Sequence, residues 1–241
     1  MIFLAILFNH DYIPIENDPI LTAVVDELSS EQNCHTVILY GSRAKGTHTA
    51  NSDYDILAVR EIGQTTRDAR LWNGAYLDIF IYNEGDILDI DASFLRLLGG
   101  IVLRCPTTRQ GVSTHQGIGH QLLAKVAALY ASTPPALQPN EIELRRIWLY
   151  KMLERIATGD IEANYRGVWL LYALLEDYFD LRQQWYLGSK ASWNWLQVHD
   201  QESYATFAAA LKPGASISAI QSLVGTVFAP YHSQGREVLN K

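Results

Sequence analysis

Cysteine, methionine and basic charge are all scarce in this sequence. Only two of its 241 residues are cysteine, Cys34 and Cys105, and they form no close pair of the kind that binds zinc or shuttles electrons. A disulfide framework is not supported, and two reduced thiols in or near strands are expected. Lys and Arg number 19 against 26 Asp and Glu, for a net charge of -7. A general nucleic-acid binder shows a basic face, so this balance argues against long RNA or DNA as a partner, although a local basic pocket can sit in an acidic protein. Long apolar runs are also missing. MIFLAILF at the start is too short to span a bilayer, no basic region precedes it, and no small-residue cleavage site follows it. It reads as a strand or a packed terminal arm, so the expectation is no membrane association and a cytoplasmic location. There is no internal repeat and no low-complexity tract.

Hydrophobic residues make up 48% and charged residues 19%, enough for a buried core and against disorder. The length suits two small domains. The chain changes character near residues 106–118, with short β-rich runs before and long helical patterns after. We therefore expect an α+β/α organisation. A mixed β-sheet domain with flanking helices at 1–112 is followed by an all-α helical bundle at 113–241.

In the first half, Asp18-Pro19 reads as a helix start, with Ile20, Leu21, Val24, Val25 and Leu28 on one face. Strands are expected at Thr36–Tyr40, Tyr54–Val59, Ala69–Trp72, Tyr76–Tyr82 and Ile101–Leu103. The Asn73-Gly74 turn joins the third and fourth, and a short helix covers Phe94–Leu98. In the second half, helices are expected at Gln121–Tyr130, Glu141–Ile156, Ile161–Trp185, Ser192–Val198 and Glu202–Leu211. They are broken at Pro134-Pro135, Gly159-Asp160, Gly188 and Pro213-Gly214.

The stretch that carries chemistry is Gly41-Ser42-Arg43-Ala44-Lys45-Gly46 followed by Asp53-Tyr54-Asp55. A strand ends in Gly-Ser, a polar connection follows, and the next strand opens with two carboxylates two residues apart. Residues two apart on a strand share a face, so Asp53 and Asp55 can converge on one cation. Left unpaired they resist joint ionisation, and oxygen ligands suit magnesium. Gly41 lets backbone approach a phosphate with no Cβ in the way, and Ser42 offers a hydroxyl and backbone N–H donors. Arg43 and Lys45 add positive charge beside the same loop, either as solvated charges or as phosphate contacts. Asp78 interrupts the apolar run Tyr76–Tyr82, where a charge is costly without a partner. It is the candidate third carboxylate, as base or metal ligand.

Gly41-Ser42, ten residues, Asp53-Tyr54-Asp55-Ile56 and a later strand Asp78 resemble the DNA polymerase beta-like nucleotidyltransferase superfamily over roughly the first 105 residues. GSRAKGTHTANSDYDILAV looks most like the small bacterial branch that includes kanamycin nucleotidyltransferase and the minimal nucleotidyltransferases. The resemblance implies Mg2+ held by Asp53, Asp55 and Asp78. It also implies a nucleoside triphosphate such as ATP cradled by Gly41, Ser42, Arg43 and Lys45, in-line attack at the α-phosphate, and release of pyrophosphate. By a looser likeness, Trp185–Lys190 faces the active site and Lys190 reaches the triphosphate. A homodimer is a further expectation from the same likeness.

The acceptor is not written in the sequence. A small hydroxylated molecule fits the acidic charge and the appended helices, with Glu162, Glu176 and Asp177 as candidate acceptor-side acids. The alternatives are a protein AMP transferase of the antitoxin type, acting on a partner protein, and a catalytically silent nucleotide-binding module. His48 reads as an exposed loop residue. The aromatic set Trp169, Tyr172, Tyr178, Trp185, Tyr186, Trp193 and Trp195 reads as core. Arg109 and His115 match the spacing of HEPN ribonucleases but fall in a connector, so the match is read as chance.

Overall fold

A computed structural model describes residues 18–105 and 117–232. The initial MIFLAILF, the Arg109/His115 pair and the expected domain boundary at 112/113 lie outside the described residues. The chain forms two compact units that divide between Ser132 and Thr133. The first is a mixed sheet with flanking helices and the second an all-α bundle, as the hydrophobic patterning predicts.

The sheet has strands β1 (Cys34–Tyr40), β2 (Tyr54–Arg60), β3 (Thr66–Trp72), β4 (Ala75–Asn83) and β5 (Ile101–Arg104), in the order β3-β4-β2-β1-β5. Only β2 and β4 run parallel; the β1–β2, β1–β5 and β3–β4 pairs are antiparallel. Helix α1 (Pro19–Ser30) starts as its sequence dictates. The Asp18 carboxylate accepts from the Ile20 and Leu21 amides at 2.9 and 3.2 Å, and Pro19 occupies the first turn. Its Leu21, Val24 and Leu28 bury one face of the sheet together with Val37, Leu39, Ile56, Ala58, Leu77, Ile79 and Ile81. These strand residues alternate in sequence, so their neighbours point to the opposite face. The opposite face is served by a 3-10 helix at Ala92–Leu97 and by α3 (Ile118–Ala131). Phe94, Leu95, Leu97, Leu122 and Val126 are buried there. At Gly119 a Cβ would come within 2.9 Å of Thr36, so close packing of α3 on β1 needs glycine.

The β3–β4 hairpin turns on Asn73 and Gly74, both at positive φ (49° and 81°), as a two-residue primed turn requires. It leaves Trp72 opposite Ala75 and Ala69 opposite Asp78. Strand β3 begins three residues earlier than its apolar pattern suggested, because Thr66–Asp68 are held by pairing with β4 and carry no hydrophobic signal.

The second unit contains α4 (Pro139–Ile156), α5 (Ile161–Asp180), α6 (Ser189–His199), α7 (Gln201–Ala210) and α8 (Ile217–His232) around one core. Two expectations are corrected here. Helix α5 stops at Asp180 and does not reach Trp185. Gln183 takes a left-handed conformation (φ 51°), the Gln183 amide bonds the Asp180 carbonyl and the Gln184 amide bonds the Phe179 carbonyl. That closure is normally signalled by glycine, and here it is made without one. Helix α8 went unread because Gly225 and Pro230 interrupt its pattern. It nevertheless buries Leu223, Val224, Val227 and Phe228 along one side.

Pro230 lacks the amide that would bond the Thr226 carbonyl, and its ring disturbs the turn before it. Arg182 compensates. Its Nη2 donates to the Thr226 carbonyl at 2.9 Å, and its Nη1 donates to the Val227 carbonyl at 3.0 Å. The guanidinium stacks 3.7 Å from the Tyr178 ring centroid. Burial pushes the Tyr178 hydroxyl up to about 12. That hydroxyl donates to Asp200, which also caps α7 through the Ser203 amide. Among the described residues no helix is long and apolar enough to cross a membrane.

Candidate active site

The site forms where β1 ends and β2 and β4 begin. Asp55 lies opposite Tyr40 across the β1–β2 pair and beside Asp78 across the parallel β2–β4 pair. Ile56 and Ile79, the next register partners, are fully buried under α1. Asp55 and Asp78 therefore stand together on the other face of the sheet. Asp53 precedes the strand and is exposed.

Gly41 is fixed in place twice over. Its φ is +72°, a conformation that costs an L side chain roughly 1–2 kcal/mol. A Cβ there would lie 2.0 Å from Asp55 Oδ2, so the carboxylate fills the space that any other residue would occupy. The sequence reading assigned the missing Cβ to phosphate approach; the structure shows that Asp55 already requires it. Gly41–Ala44 form a single helical turn, α2, in which Ser42 accepts the Thr47 amide at 3.0 Å through its carbonyl.

Burial raises the Asp55 carboxyl to about 6, and the neighbouring charges of Asp53 and Asp78 push in the same direction. Arg43 and Arg96 oppose the shift. Asp55 forms no hydrogen bond or ion pair among the described residues. Asp78 does: Arg67 of β3 grips both of its oxygens, Nε to Oδ1 at 2.7 Å and Nη2 to Oδ2 at 2.9 Å.

Arg43 clasps its own loop. Its Nη2 donates to the Ser52 carbonyl at 2.7 Å, and its Nε donates to the Ser52 and Asp53 carbonyls at 3.1 and 3.2 Å. The guanidinium stacks 3.6 Å from the centre of the Tyr54 ring, whose hydroxyl donates to the α1 cap Asp18 at 2.9 Å. Lys45 is exposed, with its stem against Gly99. Lys190 is exposed in the first turn of α6, in the second unit.

Two residues of the site escaped the sequence reading. Arg67 lay just outside the strand as drawn, although extending the Asn73-Gly74 hairpin by pairs would have brought it diagonal to Asp78. Arg96 stacks 4.2 Å from the Phe80 ring centroid and donates to the Tyr82 hydroxyl at 2.7 Å. It sits in a 3-10 turn with no motif to mark it. Of the candidate acceptor-side acids, Asp177 is buried and bonded to Arg145 at 2.5 Å, Glu162 pairs with Arg166 at 2.9 Å, and Glu176 is exposed. The aromatic set divides. Tyr178 is core and Tyr186, Trp193 and Trp195 pack on it, whereas Trp169 and Tyr172 are exposed on α5. His48 is exposed, as its loop position suggests.

Among the described residues, no group of three or more His, Cys, Asp or Glu side chains is arranged to hold a metal ion. The donor chemistry fits a hard divalent cation all the same. Asp55 and Asp78 are adjacent carboxylates on one face, and mutual repulsion with Asp53 helps raise Asp55, a conflict that a cation relieves. In this conformation both Asp78 oxygens are engaged by Arg67.

Residues 23–102 match the family described as Polymerase beta, Nucleotidyltransferase. The match begins within α1, ends within β5 and spans Asp53, Asp55 and Asp78, so this stretch is a domain of the polymerase beta-like nucleotidyltransferase superfamily. It points to no particular branch of that superfamily. No protein of curated function matches the sequence. Among solved structures, a nucleotidyltransferase-like protein from Exiguobacterium sibiricum 255-15 is similar. It is 13% identical, the match covers 91% of this chain and 79% of that one, and the TM-score is 0.35.

Proposed function

We propose that the polymerase beta-like domain is the catalytic part of a nucleotidyltransferase that moves a nucleoside monophosphate, AMP by expectation, from its triphosphate to a hydroxyl of a small acceptor, releasing pyrophosphate. The observation that carries this reading is the placement of Asp55. It stands beside Asp78 at the start of β2, packed into the space over Gly41 and opposite Tyr40, the last residue before the Gly41-Ser42 turn.

In this reading Asp53, Asp55 and Asp78 hold Mg2+, which when bound neutralises the phosphates and favours attack at the α-phosphorus. Asp55 contributes only when ionised, and its raised pKa makes that dependent on pH near 6. The Gly41-Ser42 turn presents backbone amides and the Ser42 hydroxyl to the triphosphate. Arg43 holds the loop closed behind them, and Lys45 supplies charge to the phosphates. Asp78 is positioned to receive the acceptor hydroxyl proton once Arg67 no longer occupies it. The two free thiols suit a reducing cytoplasm.

A catalytically silent nucleotide-binding module is the competing reading, and one observation favours it: Asp78 is already satisfied by Arg67. The two are separated by incubating the protein with each labelled triphosphate, Mg2+ and a panel of hydroxylated acceptors while following pyrophosphate. Turnover that Asp55→Asn abolishes supports the enzyme. Triphosphate binding with no pyrophosphate from any acceptor, or turnover indifferent to Asp55→Asn, refutes it.

A further inference from the structure

Arginine–carboxylate contacts in this protein differ in what they hold together. Arg70 grips both oxygens of Glu27 at 2.6 Å and ties edge strand β3 to helix α1. Arg145 bonds Asp177 and Asp180 at 2.5 and 2.9 Å and ties α4 to α5. Arg166 and Glu162 are neighbours on one helix turn. Arg67 and Asp78, by contrast, link β3 to β4, which are already joined by a full antiparallel ladder from Thr66↔Ile81 to Trp72↔Ala75. The fold gains little from this pair, yet it is bidentate and sits on the face that carries Asp55.

We propose that Arg67 is a resident counter-ion that holds the place of a divalent cation at Asp78 and yields it when the cation arrives. The inference rests on the reading of Asp53, Asp55 and Asp78 as a metal site, and it names a positioning residue within that site. Three features support it. The Arg67 side chain is 58% exposed while that of Asp78 is 24% exposed, so the guanidinium can withdraw into water without being buried elsewhere. Its remaining described contact is the Phe80 ring, 5.0 Å from guanidinium to centroid, an anchor on the same face that survives the withdrawal. Asp55, the register partner of Asp78 on the same face, forms no ion pair among the described residues. Arg67 thus neutralises one of the three clustered carboxylates and aims it. The exchange is purely ionic. The two Arg67–Asp78 hydrogen bonds break, the freed oxygen lone pairs go to the cation, and the guanidinium is hydrated.

It follows that Arg67 competes with metal, which distinguishes this role from a structural tie or a metal-assisting residue. The test is a Mn2+ titration of the full chain at pH 8, followed by the loss of free Mn2+ in electron paramagnetic resonance. Wild type is compared with Arg67→Ala, Arg67→Lys, Asp55→Asn and, as a control ion pair on the other face, Arg70→Ala. An exposed pair of this kind is weak, so Arg67→Ala is expected to bind Mn2+ about two- to five-fold more tightly. Arg67→Lys should return toward wild type and Arg70→Ala should match it. Arg67→Ala binding Mn2+ equally or more weakly, while Asp55→Asn is defective, overturns the counter-ion role alone. Binding that Asp55→Asn leaves unchanged, or no binding by wild type or Arg67→Ala, overturns the metal site and this inference with it. Arg67→Lys supplies the comparison if Arg67→Ala fails to fold.

Discussion

Replacing Asp55 with asparagine should remove activity and at the same time stabilise the metal-free protein. The folded chain holds this carboxyl at about 6 against an ordinary 3.8, through burial and the charges of Asp53 and Asp78. A raised acid favours folding only while it is protonated in both states. The stabilisation is complete below about pH 4 and is lost as pH rises through 6. At neutral pH the full difference corresponds to about 3 kcal/mol of destabilisation. Solvent reaches part of the carboxylate, which reduces the figure to about 1–1.5 kcal/mol. Asparagine has the same shape, fits the same space over Gly41 and carries no charge. In EDTA at pH 8, Asp55→Asn should therefore melt about 3–5 °C above wild type. At pH 4.5 the gain should shrink to about a third. Mg2+ with ATP should then raise the wild-type melting temperature and leave the variant unmoved. Calorimetry across pH 4.5–8 tests this. A variant that melts lower than wild type in EDTA, or one whose gain is the same at both pH values, would show that Asp55 is not a strained carboxylate.

Four further outcomes follow. Gly41→Ala combines a left-handed backbone with a Cβ 2.0 Å from Asp55 Oδ2; a loss of at least about 2 kcal/mol is expected in urea denaturation, and a loss under 0.5 would contradict the geometry. Arg182→Met strands the Thr226 and Val227 carbonyls beside Pro230, at about 1–3 kcal/mol, and Pro230→Ala in the same chain should recover part of that loss. Asp53→Asn should abolish pyrophosphate release yet leave the far-ultraviolet circular dichroism and melting temperature within about 2 °C of wild type, since the side chain is exposed. Lys190→Ala should weaken triphosphate affinity by several-fold with no drop in melting temperature; equal affinity by fluorescence titration would remove Lys190 from the site.

Most of the first unit could be read from residue patterns because its signals are local. The Asp18-Pro19 cap, the Asn73-Gly74 turn and the apolar run Ile56–Val59 each act within a few residues. The pairing of Asp55 with Asp78 was approachable too, since both are charged residues in otherwise apolar strands. What stayed hidden depended on partners distant in sequence. Arg67 matters through a hairpin register. The end of α5 depends on a non-glycine left-handed residue, and α8 survives its proline through an arginine 44 residues away. Placing α3 against β1 likewise rests on a close contact at Gly119 that no periodicity announces.

The Arg43 clasp has a consequence for how this loop can change. Arg43 at the near end bonds the carbonyls of Ser52 and Asp53 at the far end, and its ring partner Tyr54 is moored to α1. The mouth of the loop is thereby set by a side chain spanning its two ends, whatever lies between. Residues 46–51 are thus a segment whose length and composition can vary while the spacing from Gly41 to Asp55 in three dimensions stays constant. Loop closure grows only slowly more costly with length, about 0.6 kcal/mol for each doubling. This is a natural place for relatives to differ by insertion, and for an engineer to graft a foreign peptide without moving the carboxylates.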